Sequence, residues 1–74
     1  MNFQDQAKAS VDETTESAQL WLKKGRKDRA LRVVRSSLSD AEAQIGKITI
    51  PGASAALEWG IGQLKVLLTK IESE

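Results

Sequence analysis

The chain has 74 residues, a net charge of +1, three aromatic residues, and neither cysteine nor histidine. One small domain of this length buries about 60% of its unfolded surface, a marginal core for a single chain. Disulfides and thiolate or imidazole metal sites are excluded, which leaves self-association as the available route to a larger buried surface.

The near-neutral total hides an uneven distribution. Residues 1–22 set Lys8 against Asp5, Asp12, Glu13 and Glu16, a net −3. Residues 23–35 set seven cations against Asp28 alone, a net +6, and the remainder sums to −2. The chain therefore reads as an acidic arm, a basic middle and a mildly acidic C-terminal half.

Met1 to Ser10 shows no apolar run behind a basic start, and its polarity leaves it as either a flexible arm or an extension of the first helix. Ser10-Val11-Asp12-Glu13 fits a capping box, so a helix is expected from Val11 to Lys24, with Val11, Thr15, Ala18 and Leu22 facing inward. Phe3 and Ala7 extend that period upstream. Lys23 and Lys24 suit the negative end of the helix dipole, and Gly25 suits a left-handed cap.

The pattern restarts after Gly25. Leu31, Val34, Leu38, Ala41 and Ile45 recur at alternating offsets of three and four, giving a second helix from Arg26 to Ile45. Ser36, Ser37 and Ser39 weaken it and allow a kink or restart near Ser39. Gly46 ends the helix, and Ile48-Thr49-Ile50-Pro51-Gly52 reads as an extended connection that could pair with its own copy in a second chain.

The third helix, Ala53 to Glu72, carries the longest apolar pattern. Leu57, Ile61, Leu64, Leu68 and Ile71 form one stripe, and Ala55, Trp59, Gly62 and Val66 form another on a different side. A helix with two apolar faces needs two neighbours. Gly60 and Gly62 each cost about 1 kcal/mol against alanine in a helix interior, so a close backbone approach is expected there, with a local bend as the competing reading. Ala56, Trp59, Gly60, Gly62 and Val66 are thus the expected oligomer interface, with a homodimer favoured. Trp21 and Trp59 are read as core or interface anchors. The fold expected is all-α, a helical hairpin plus a C-terminal helix in a single domain over residues 1–74.

No nucleophile–base pair and no metal cage is recognisable. Asp12, Glu13 and Glu16 at a helix start are accounted for by the helix dipole. Gly60 and Gly62 lie inside a helix pattern, where a phosphate-binding loop has no mechanism. No catalytic residue, cofactor or metal is expected, and the charges within the third helix argue against a membrane span. Cysteine-free and without a recognisable leader, the chain is expected to be cytoplasmic.

The functional candidate is the basic segment Lys23, Lys24, Arg26, Lys27, Arg29, Arg32 and Arg35. The three arginines Arg29, Arg32 and Arg35 step along one side of the second helix, off the core stripe. A solvated, internally paired face is the plainest reading. The functional one is a small regulator or inhibitor that binds an acidic protein surface, because guanidinium forks suit carboxylate or phosphate. The alternative is a nucleic-acid-binding transcriptional regulator.

Two resemblances attach to this hairpin. Gly25-Arg26-Lys27-Asp28-Arg29-Ala30-Leu31 resembles the middle of a tetratricopeptide repeat, with a turn glycine and an alanine five residues later, although Lys27 stands where the repeat has an aromatic residue. The same hairpin resembles a helix-turn-helix, with Leu31 and Val34 as buried positions of a recognition helix, although Lys24 stands at a normally apolar place and Trp21 at a small one. Each covers less than half of the chain, and neither assigns a family.

Overall fold

A computed structural model describes residues 2–74 as three α-helices: α1 Phe3–Lys23, α2 Lys27–Ile45 and α3 Pro51–Glu72. All three pairs of helices are in contact, and the molecule extends over 40 × 22 × 15 Å. The chain runs up, down and up, so α1 and α3 are parallel and α2 is antiparallel to both. Both resemblances involve the first hairpin. Its two helices lie alongside each other from Trp21 and Arg29 at one end to Ser10 and Gln44 at the other, which is bundle geometry rather than the steep crossing of a helix-turn-helix.

The start of α1 differs from the capping-box expectation. Asn2 is the N-cap, its side-chain Oδ1 accepting from the Asp5 backbone N–H at 2.8 Å. Ser10 and Glu13 lie inside the helix. The added turns carry Phe3 and Ala7 along the Val11 face, and Phe3 comes beside Gly52 of α3. An arm from Phe3 onward is therefore helix.

The end of α1 follows the glycine. Gly25 has φ +74°, the Gly25 N–H donates to the Leu22 carbonyl at 3.0 Å, and the Arg26 N–H donates to the Trp21 carbonyl at 2.9 Å. This pair of bonds is the Schellman motif, which satisfies carbonyls that the helix end leaves open. Arg26 then caps α2 without a side-chain bond. The helix continues through Ser36, Ser37 and Ser39 unbroken. The Ser37 hydroxyl lies 2.9 Å from that of buried Thr14, a polar bridge between α1 and α2.

At the second connection, Ile48–Ile50 is extended, but Pro51 and Gly52 are already helical. Proline at the first helical position loses no bond, because that N–H has no acceptor within the helix. The C-terminal helix thus begins two residues before the expected Ala53.

The core is concentrated toward the end where α1 and α3 finish. Ala18, Ala30, Val34 and Ile71 are essentially sealed from water, with Trp21, Leu22, Leu31, Leu67 and Leu68 packed around them. The two alanines let α1 and α2 approach closely. Burying Val34 and Ile71 contributes about 1.5–3 kcal/mol each. Along α3, Ala56, Gly60, Leu64 and Ile71 form the buried line, while Leu57, Ile61, Leu67 and Leu68 are half-buried on its flanks. The two neighbours that α3 requires are α1 and α2 of its own chain. None of the helices is long and apolar enough to cross a membrane among the described residues.

Candidate binding surface

The basic segment lies at the end of the rod where α1 and α3 terminate and α2 begins. Two helix C-termini bring their partial negative charge to this end, and the cations answer it directly. Lys23 occupies the last turn of α1 and Lys70 that of α3. The Lys27 ammonium donates to the Glu72 main-chain carbonyl at 3.3 Å, capping α3 from another element.

Trp21 is the fixed point of the surface. It is half-buried against the core, and both the Lys24 ammonium, 5.2 Å from the ring centroid, and the Arg29 guanidinium, at 5.0 Å, lie over the indole. Lys24 reaches it from three residues on, at the C-cap of α1, whereas Arg29 reaches it across the hairpin. Contacts of this kind are worth about 0.5–1 kcal/mol at exposed sites and hold both cations in place.

Arg26 forms a fork with Asp28, Nε to Oδ1 and Nη2 to Oδ2, both at 3.2 Å. The hydrogen-bonded guanidinium holds the Asp28 carboxyl below the usual aspartate range, and the Asp28 carboxylate raises Arg26 in return. Asp28 also sits in the first turn of α2, where a negative charge opposes the positive end of the dipole. The pair belongs to the turn as much as to any binding face.

Arg29, Arg32 and Arg35 do not share one side. Steps of three in a helix of 3.6 residues per turn rotate backward by about 60° each, so the set fans through about 120°. Arg29 lies on the α1 flank over Trp21, Arg32 points outward, and Arg35 lies on the α3 flank, where its Nη2 is 3.4 Å from Glu72 Oε2. The partner of Arg35 is therefore on α3 and not on the acidic stretch of α1. Exposed ion pairs of this kind contribute between zero and about 1 kcal/mol. Lys23 and Arg32 have no ion pair among the described residues.

The expected oligomer residues also divide. Ala56 and Gly60 turn inward, a Cβ on Gly60 falling 3.7 Å from Val11 Cγ2, so these two belong to the α1–α3 contact and not to a surface. Trp59, Gly62 and Val66 stay outside, with Trp59 37% and Val66 61% exposed. Trp59 is accordingly not a core anchor within its chain.

Three features have no local signature in the sequence: Arg29 over Trp21, Glu72 as acceptor from both Lys27 and Arg35, and an open recess of about 290 Å³ at the far end among Phe3, Ala7, Ile48, Ala53 and Leu57. Each joins residues of different elements and depends on the register between helices, whereas the Lys24 contact with Trp21 is legible in their spacing of three. Among the described residues no group of three or more acidic side chains could hold a metal ion. The chain matches no protein-family model, no curated protein and no solved structure.

Proposed function

We propose that this chain is a small non-enzymatic binding module that occupies an acidic protein surface with the cationic end of its bundle, acting as a regulator by covering that surface. The observation that carries the reading is Trp21 with Lys24 and Arg29 held over its ring, and with Arg32, which has no ion pair among the described residues, about one turn further along α2. Cations held by an indole lose less freedom when a carboxylate arrives, and the guanidiniums supply planar forks for it. Both aromatic contacts place a cation over the ring, which favours a carboxylate-bearing partner over a base stacked on the indole.

The test is capture from lysate treated with nuclease, using the full chain as bait. A protein that still co-purifies, and that is released by salt, supports the reading. The variant Lys24→Ala, Arg29→Ala, Arg32→Ala should weaken that binding at least tenfold, or about 1.4 kcal/mol, while helicity is retained, because the two contacts with the indole are worth about 0.5–1 kcal/mol each and Arg32, exposed and off the core, less than about 0.5 kcal/mol. Recovery that depends on DNA or RNA would replace this reading with the nucleic-acid one. Undiminished capture by the triple variant would remove the cationic end from the function.

A further inference from the structure

We infer that the outer face of α3 is a self-association surface, on which a second copy of this chain lays its own α3 antiparallel across a two-fold axis near Gly62. Trp59, Gly62 and Val66 point away from both α1 and α2, and Trp59 and Val66 are large apolar side chains left in water. A Cβ at Gly62 would meet nothing within 4 Å, so nothing in its own chain offsets that glycine's cost in a helix.

Charge identifies the occupant. Glu58 and Lys65 are both exposed, lie two turns apart on one edge of this face, and form no ion pair in their own chain among the described residues. They stand about 10.5 Å apart along the axis, too far to pair with each other. A two-fold axis perpendicular to paired antiparallel helices, and lying in their interface, brings like edges together. Centred near Gly62, it sets Glu58 of each copy beside Lys65 of the other, once on each side of the centre. The face is therefore complementary to itself in the antiparallel orientation, whereas parallel pairing exchanges the edges and sets Glu58 and Lys65 against the apolar edge of Trp59 and Val66.

Shape agrees with that register. The same operation carries Trp59 of the second copy onto the stretch around Lys65 and Val66, where a shallow recess of about 390 Å³ is bounded by Lys65, Val66, Thr69, Lys70 and Ser73. An indole there covers Val66, which shares its edge of the face, while Lys65 on the opposite edge is left for Glu58. The contact uses one helix from each copy, which places it among small, reversible interfaces rather than obligate ones. It lies on the side of the rod and leaves the cationic end open.

The test is sedimentation equilibrium on the full chain from low micromolar to near-millimolar concentration, with circular dichroism as the check on folding. The chain should pass from monomer to dimer. Glu58→Lys and Lys65→Glu should each weaken the dimer at least about tenfold, because each sets like charges opposite one another. The double exchange Glu58→Lys, Lys65→Glu should restore it, and Trp59→Ala should abolish it without loss of helix. A chain that remains monomeric throughout overturns the inference. So does a dimer that ignores the single reversals, or one that the double exchange fails to restore.

Discussion

Replacing Ile71 by alanine tests the packing most directly, because position along the chain and position in the structure give opposite expectations. Ile71 is three residues from the end of the sequence, where helices ordinarily fray and substitutions are tolerated. Yet it is only 1% exposed and is, with Val34, one of the two largest fully buried side chains. Its neighbours in the cluster, Ala18 and Ala30, are too small to close the space it would leave. Ile→Ala at such a site costs about 2–5 kcal/mol through lost transfer energy and a residual cavity. A domain of this size has a total stability on the order of 4–11 kcal/mol, so about half could go with one side chain. The assay is urea unfolding followed by far-UV circular dichroism at a concentration where the chain is monomeric, with Val66→Ala as the exposed control. The midpoint should fall sharply for Ile71→Ala and little for Val66→Ala. Equal small losses, each under about 1 kcal/mol, would refute the claim that the core is centred on the C-terminal turns of α3.

Two further outcomes follow from the first turn. Gly25→Ala should cost about 1–2 kcal/mol in the same urea experiment, because φ +74° is strained for a residue with a Cβ although the space around it is open. Asp28 should titrate, by NMR of its carboxyl carbon, below the ordinary aspartate value of about 3.9, since the Arg26 hydrogen bond favours the ionised form. A carboxyl depressed in the folded state stabilises the fold above its unfolded pKa, and that contribution disappears as pH falls through the folded value. Arg26→Ala should return the midpoint toward the ordinary value.

The three helices were legible because apolar residues recur at helical spacing and because Gly25 marks its turn without ambiguity. Their margins were less so. Ser10 to Glu13 satisfies a capping-box pattern, but Asn2 supplies a competing cap, and the longer helix packs Phe3 beside Gly52, a contact between residues 49 apart that no local pattern contains. The cations were visible as composition and their partners were not. That Arg35 meets Glu72 while Arg29 meets Trp21 follows from the direction in which α2 rotates between its neighbours. Of the stripe Leu57, Ile61, Leu64, Leu68 and Ile71, Leu64 and Ile71 are buried and the other three half-buried, because the buried line of α3 reaches them through Ala56 and Gly60. Small residues are where helices approach most closely, and their low hydrophobicity conceals that role.

Gly60 turns that observation into a prediction with a definite sign. The residue is buried, lies inside α3 and faces Val11, so a close-packed glycine that admits no side chain is one natural reading. The distance argues otherwise. A Cβ there would sit 3.7 Å from Val11 Cγ2, ordinary van der Waals contact, with no other atom crowding it. Gly60→Ala therefore gains the helix propensity of alanine, about 1 kcal/mol, and adds a buried methyl group to the α1–α3 contact. For a domain of this size a gain of 1 kcal/mol raises Tm by about 4–8 °C. Thermal unfolding at low concentration should show that rise for Gly60→Ala, and a similar one for Gly62→Ala, whose site is open to solvent. A fall in Tm for Gly60→Ala alone would mean that α1 and α3 approach more closely at Val11 than 3.7 Å allows, and that the glycine is kept for contact rather than tolerated at a cost.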